Sequence, residues 1–221
     1  MRVALVLTGH FRTFEQTHTY WRNALEGCEY DVFCSTWDTI NSNTISWHTH
    51  QPTHTPNYLT DHQIDLLRSF DPYVQIGRQE YTQEEINDVQ LDCTSKANIY
   101  RYEAICNTLK RIDPMKYDII IVGRYDLCIN GIRFKDIDIQ EDEIQCSGIY
   151  CGEKFVRKYS NTDNLYMFHP IKKGVFENLF QIYENAKHKN IKYPEEVFTE
   201  LFYTFFSKVT IKWDTFNISR V

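Results

Sequence analysis

Three short segments hold the residues best suited to chemistry. Arg124-Tyr125-Asp126 follows the apolar run at residues 119–122. A carboxylate is a hard oxygen ligand for Mg²⁺ or Mn²⁺, and a guanidinium matches phosphate oxygens in bidentate fashion. The pair therefore suits a metal-bound diphosphate, with Asp126 as the metal ligand and Arg124 as a catalytic, diphosphate-facing cation. It also suits an ion pair that merely caps a strand. Thr8-Gly9-His10-Phe11-Arg12 closes the first apolar run. Gly9 lets the backbone turn sharply and approach a ligand, and Arg12 has the reach to bond phosphate oxygens. Neither a Walker loop nor a dinucleotide fingerprint is present, because the required lysine and glycines are missing. A plain strand-to-helix turn is the alternative reading. Thr36-Trp37-Asp38 offers an aromatic ring and a carboxylate for a base and a ribose, or a tryptophan packed on a sheet edge.

Further acids lie toward the C-terminus. Asp163, followed by Asn164, precedes the apolar run at 165–168, and a carboxylate there can serve as a general base. Glu196 stands with Glu195 and Glu200 and is a second catalytic option. The helix dipole alone accounts for acids in a first helical turn. His48, His50, His54 and His62 have spacing compatible with zinc, yet no cysteine lies nearby and no H-E-x-x-H helix exists, so a solvated loop is the simpler reading.

The elements that must position these residues follow from periodicity. Residues 2–8 and 117–123 are near-continuous apolar runs, the pattern of parallel strands covered on both faces. Residues 30–36 make another strand, and 14–26 have helical spacing between the first two. Strand, helix, strand in succession implies a βαβ unit and a parallel sheet. In open α/β sheets ligands bind at the carboxyl ends of strands, where all three segments fall. Residues 39–60 read as a long loop of the kind that serves as a lid. Helices are expected at 61–70, with Asp61 as N-cap, and at 95–111, 172–187 and 194–207. Short strands are expected at 73–76 and 163–168, an acidic helix or turn at 83–90, and mixed strands and turns over 130–150. The fold class is α/β, with a mostly parallel sheet flanked by helices, in a single domain spanning 1–221.

Composition bounds the function. With 42% hydrophobic and 15% aromatic residues, the 221-residue chain can bury a large core. A net charge of −6 gives no general footprint for nucleic acid. The apolar start at 3–7 is too short for a signal peptide, and no stretch approaches the roughly 20 apolar residues of a membrane span. The seven cysteines are scattered without a C-x-x-C. Reduced, mostly buried thiols and a cytoplasmic location (host cytoplasm for a viral protein) are expected.

Taken in order, "ALVLTGHFRTF", "DVFCSTWD", "NIYRYEAICNTLKR", "YDIIIVGRYDL", "TDNLYMFHP" and "YPEEVFTELF" resemble the small glycosyltransferase-like proteins of phages, large DNA viruses and bacterial polysaccharide loci. The resemblance implies a GT-A fold, a nucleotide-sugar donor (a UDP-sugar foremost) and a divalent metal, Mn²⁺ or Mg²⁺. It implies that Thr8, Gly9 and Arg12 lie near the donor diphosphate, Trp37 and Asp38 near the nucleoside, Asp126 at the metal position and Asp163 near the transferred sugar. The acceptor would be a glycan, a glycoprotein or the hydroxyl of a modified DNA base. One departure matters: the familiar Asp-x-Asp pattern has Arg124 at its first position, which leaves a single carboxylate for the metal. A nucleotidyltransferase-like enzyme and a catalytically silent glycosyltransferase-like binding module are the competing readings.

Overall fold

The computed structural model describes residues 1–40, 57–78, 96–129, 131–147, 164–189 and 194–212. In chain order the elements are β1 (Arg2–Thr8), α1 (Phe14–Ala24), β2 (Glu29–Trp37), α2 (Asp61–Phe70), β3 (Gln75–Gly77), α3 (Lys96–Lys110), β4 (Ile119–Gly123), β5 (Glu143–Ser147), β6 (Leu165–Phe168), α4 (Leu179–Lys189), α5 (Pro194–Phe205) and β7 (Lys208–Lys212). The strands form one seven-stranded sheet of order β3-β2-β1-β4-β6-β5-β7. All neighbouring pairs are parallel except those of β6, which runs against both β4 and β5.

Alternation along the strands divides the core between two faces. Val3, Leu5 and Leu7 of β1 join Ile119 and Ile121 of β4 beneath α1 and α2, with Phe14, Trp21 and Leu67. Ala4 and Val6 join Ile120 and Val122 on the other face, beneath α3, α4 and α5, with Tyr102, Leu179 and Phe198. Full burial of each large apolar side chain contributes roughly 1.5–3 kcal/mol. The central strands therefore read as unbroken apolar runs because both faces are covered.

Parallel register sets the geometry of the carboxyl edge. Thr8 lies opposite Ser35 of β2, and Leu7 lies opposite Gly123 of β4. The segments after Thr8 and Gly123 therefore leave the sheet side by side, while β2 runs two residues further, to Trp37, paired with β3. Gly123 is fixed by packing: a Cβ there would run into the Trp21 ring, with Cζ2 only 2.9 Å away.

Several boundaries differ from expectation. Helix α2 is capped by Thr60 rather than Asp61. The Thr60 hydroxyl accepts from Gln63 N at 3.3 Å, and Gln63 Oε1 accepts from Thr60 N at 3.0 Å, a reciprocal capping box. The helix expected over 172–187 is two elements, a 3-10 stretch at Pro170–Asn178 and then α4. Buried Pro170, Phe176 and Leu179 sit at multiples of three, the period of the tighter helix. Strand β7 was not anticipated. The expected acidic segment at 83–90 lies outside the described residues, as does most of the 39–60 loop, of which Thr39 and Tyr58 form an antiparallel bridge. Cys28, Cys34, Cys106, Cys128 and Cys146 are unpaired thiols. No helix among the described residues is long and apolar enough to cross a membrane.

Candidate functional site

The site is built on the turn that follows β4. Tyr125 is fully buried, with its ring 5.0 Å from Phe14 in an edge-on contact. Its carbonyl accepts a hydrogen bond from the Thr17 hydroxyl of α1. Anchoring Tyr125 in the core leaves its neighbours, Arg124 and Asp126, to bond one another. Arg124 Nε donates to Asp126 Oδ1 at 2.9 Å and Arg124 Nη2 donates to Oδ2 at 2.5 Å, a bidentate fork. A second arginine arrives from the loop after β1: Arg12 Nη1 donates to Asp126 Oδ2 at 2.9 Å. The Asp126 side chain is 4% exposed, against 17% for Arg124 and 30% for Arg12. Burial alone would raise the Asp126 carboxyl. The Arg124 and Arg12 charges and their hydrogen bonds outweigh it and hold the group well below the usual carboxylate range.

The loop from Gly9 to Arg12 is strained into place. Gly9 has φ +118°, a conformation only glycine adopts readily. Arg12 has φ +43°, in the left-handed region that costs a non-glycine residue about 1–2 kcal/mol. The Arg12 amide donates to Ile40 O at 3.0 Å, which ties this loop to the segment after β2. His10 lies between the two: its ring is 4.7 Å from that of Trp37, and its Nδ1 is 3.4 Å from Thr39 O. Burial first, and then the Arg12 charge, push His10 down to about 3, so it is neutral at physiological pH.

Asn164 completes the arrangement. Its Oδ1 accepts from Arg124 Nη1 at 2.9 Å. Strand β6 is antiparallel to β4 with Leu165 opposite Gly123, so the residue before Leu165 falls opposite the residue after Gly123. Arg124 is thereby held from two sides, by Asp126 and by Asn164. Sequence reading quoted Asn164 only as the neighbour of Asp163; the signal that finds it is the strand register.

Solved structures share this architecture. The glycosyltransferase GlyE of Streptococcus pneumoniae TIGR4 matches with a TM-score of 0.52 at 10% identity, over 94% of this chain and 44% of its own. The galactosyltransferase LgtC, in complex with donor and acceptor sugar analogs, matches with a TM-score of 0.52 at 10% identity, over 96% of this chain and 73% of its own. The chain has the GT-A glycosyltransferase fold. It spans less than half the length of GlyE, and at such identities the likeness is one of fold. No protein-family model matches the chain, and no curated protein matches its sequence.

Within this GT-A fold, the residues singled out from sequence separate into groups. Gly9, Arg12, Arg124 and Asp126 lie together at the carboxyl edge, and Arg12, Arg124 and Asp126 are directly bonded. Thr8 is buried at the end of β1. Trp37 is 7% exposed and packs against His10, so most of its ring is already covered. Asp38 is half-buried, with its amide donating to Gly77 O at 2.9 Å and its carbonyl accepting from Leu59 N at 2.8 Å. Glu196 lies in the first turn of α5, a helix that packs on the sheet face opposite α1. Asp163, His48, His50 and His54 lie outside the described residues, and His62 is exposed on α2.

A divalent metal at Asp126 can be tested against the donor set. A carboxylate offers about four lone-pair sites. Three are taken by guanidinium N–H groups, on both oxygens, in a side chain almost wholly buried. The side chains bonded to Asp126 carry two positive charges against its one negative. Mg²⁺ and Mn²⁺ favour open, anionic oxygen ligands. The described residues around Asp126 do not fit such an ion, and no group of three or more His, Cys, Asp or Glu among the described residues is arranged to hold one.

Proposed function

We propose that this chain is a glycosyltransferase that moves a sugar from a nucleotide-sugar donor, a UDP-sugar foremost, to a hydroxyl of a glycan, a glycoprotein or a modified DNA base. The observation that carries the reading is the Arg12–Asp126–Arg124 group at the carboxyl ends of β1 and β4. Parallel α/β sheets bind ligands at this edge. Two guanidiniums converge on one buried carboxylate there, in a chain whose net charge is −6. A diphosphate suits guanidiniums in charge and in its capacity to accept bidentate hydrogen bonds. The strained backbone at Arg12 adds support, since such strain persists where surrounding structure enforces it and clusters at functional sites.

Transfer breaks the bond between the anomeric carbon and the diphosphate oxygen, and the electron pair leaves with the diphosphate. A new bond forms from the anomeric carbon to the acceptor oxygen, whose proton is released. In this reading Arg124 and Arg12 stabilise the departing diphosphate, an effect that preorganised donors deliver at developing charge. Gly9 permits close approach of backbone to the donor, with Thr8 buried behind it, and Trp37 and Asp38 border the nucleoside. In an inverting transfer the acceptor proton passes to a carboxylate, and Asp163, which precedes Asn164 in the chain, is our first assignment with Glu196 second.

A thermal-shift screen against UDP-, GDP-, CMP- and dTDP-sugars tests the proposal. A ligand that binds only the folded state raises the melting temperature by mass action. The proposal expects a rise with one nucleotide family. No rise with any of them would refute donor binding, and binding of a donor without transfer to any acceptor would leave a silent binding module.

A further inference from the structure

We infer that the amino edge of the sheet, where β1, β2, β3 and β4 begin, is the surface on which two copies of this chain pair. Among the described residues seven large apolar side chains are exposed, and five of them stand at this edge. Met1 precedes β1, Tyr30 lies at the start of β2, Tyr73 precedes β3, Met115 lies in the 3-10 turn before β4, and Ile171 follows the end of antiparallel β6. These strands are neighbours, in the order β3-β2-β1-β4-β6. One exposed apolar side chain per strand makes a row, about 19 Å long at about 4.8 Å between strands.

Area and charge both favour a second copy as the occupant. Exposure of the five residues runs from 41% at Met1 to 90% at Met115. At roughly 200 Å² for a whole large side chain, the exposed fractions amount to about 640 Å² per copy, near the roughly 800 Å² per partner of a standard stable interface. Methionine and aromatic residues are also the types enriched in such interfaces. Cations of this edge are paired with acids beside them: Arg2 with Asp31 at 2.9 Å, Lys116 with Asp113 at 3.9 Å, and Lys172 with Asp142. Balanced pairs in a chain of net charge −6 do not draw an anionic membrane, which selects clusters of Lys and Arg. They do suit an isologous contact, in which one patch faces itself and opposite charges meet across the two-fold axis. With that axis near Met1, at the middle of the row, the Tyr73 end of one copy meets the Ile171 end of the other. Met115 then faces Tyr30, and Lys116 of one copy lies toward Asp31 of the other. Both carboxyl edges point away from the contact, so pairing leaves both candidate sites accessible.

Sedimentation velocity of the full chain over a range of micromolar concentrations tests this. The expected result is a species of twice the chain's mass that gives way to the single chain on dilution. Met115→Glu should weaken pairing about a hundredfold or more, because the two-fold axis buries the new charge twice. Tyr73→Glu, at the end of the row, should weaken it about tenfold. Both side chains are exposed, so each variant should keep the circular dichroism and melting temperature of the wild type when all are diluted to single chains. Tyr58→Glu, exposed beside the carboxyl edge, should pair like the wild type. A single chain at every concentration overturns the inference, and if that chain sediments with phosphatidylserine vesicles the edge belongs to a lipid surface instead. A pair that survives Met115→Glu unchanged overturns it as well, and its loss in Tyr58→Glu would then move the contact to the carboxyl edge.

Discussion

Among the described residues two buried aspartates are paired with arginine, and they are built differently. Asp71, just after α2, accepts from Arg111 Nη2 at 2.8 Å, from Cys34 N at 2.7 Å and from Tyr73 N at 2.9 Å. Arg111 in turn donates to Cys34 O at 3.2 Å, and its guanidinium lies 5.5 Å from the Phe33 ring centre. One acid meets one base, the remaining lone pairs go to backbone amides, and the group joins α2, β2 and the end of α3. Among the described residues, Asp126 accepts from guanidiniums alone, and from two of them. The first arrangement is electrically closed and serves the fold. The second draws two guanidiniums, from the loop after β1 and the turn after β4, onto one carboxylate at the sheet's carboxyl edge. Burial and ion pairing are common to both, so neither alone marks a functional site. The convergence of two guanidiniums and the strained backbone at Arg12 make the distinction.

That comparison can be broken at either end. The largest effect is expected from Asp71→Ala, which leaves the Arg111 charge and the Cys34 and Tyr73 amides without their partner. Losing one member of a buried pair costs about 3–5 kcal/mol. At about 2–4 °C per kcal/mol for a chain of this size, the melting temperature should fall by roughly 6–20 °C. Nucleotide affinity should be unchanged wherever the variant is folded, and altered affinity would show that the two aspartates are coupled. Gly123→Ala comes next. Its new Cβ presses on the Trp21 ring beneath the Arg124 turn. Overpacking of this kind costs about 1–3 kcal/mol, measurable by denaturant unfolding. An unchanged midpoint would mean that Trp21 has room to yield.

Arg12→Gly sharpens the contrast. The φ of +43° suits glycine, so relief of backbone strain offsets the lost ion pair and stability should hold within about 1 kcal/mol. Nucleotide affinity should nevertheless fall about tenfold or more. A variant that loses stability and keeps affinity would make Arg12 a structural residue like Arg111.

The smallest effect concerns pH. His10 has a folded value of about 3 against 6.5 for the free side chain. Above pH 6.5 both folded and unfolded chains carry it neutral. Between 6.5 and about 3 only the unfolded chain takes up the proton, so stability should decline as pH falls through that window. One such group contributes a slope of at most about 1.4 kcal/mol per pH unit. His10→Gln should flatten the urea-unfolding stability curve by that amount between pH 6.5 and 5. Identical curves for the two proteins would show that His10 is not held neutral beside Arg12.

Sequence made the centre of the sheet legible because β1 and β4 are covered on both faces and therefore read as continuous apolar runs. The same periodicity put the segments after β1, β2 and β4 on one edge. Strand β7 escaped notice because Lys208-Val209-Thr210-Ile211-Lys212 is a short strand that, among the described residues, pairs with β5 alone and has no long apolar signal. The helix cap was misread by one residue, since Thr60 and Asp61 are both good caps and only the Gln63 partner chooses between them. At the site, each arginine and Asp126 was visible as a local motif. Their bonding was not, because Arg12 and Asp126 are 114 positions apart and no local pattern reports such a contact. Asn164 is legible only through the β4–β6 register, and the Asp71–Arg111 pair belongs to no motif at all.

The central claim is that the Arg12–Asp126–Arg124 group binds a diphosphate. Phosphorus-31 NMR of UDP titrated with the protein tests it most directly, comparing the wild type with Arg12→Gly and with Arg111→Lys at a temperature where all are folded. The account predicts that both UDP resonances shift and broaden with the wild type and with Arg111→Lys, and that the change is largely lost with Arg12→Gly. Equal perturbation by all three proteins would contradict it, because the diphosphate would then sit somewhere other than on these arginines.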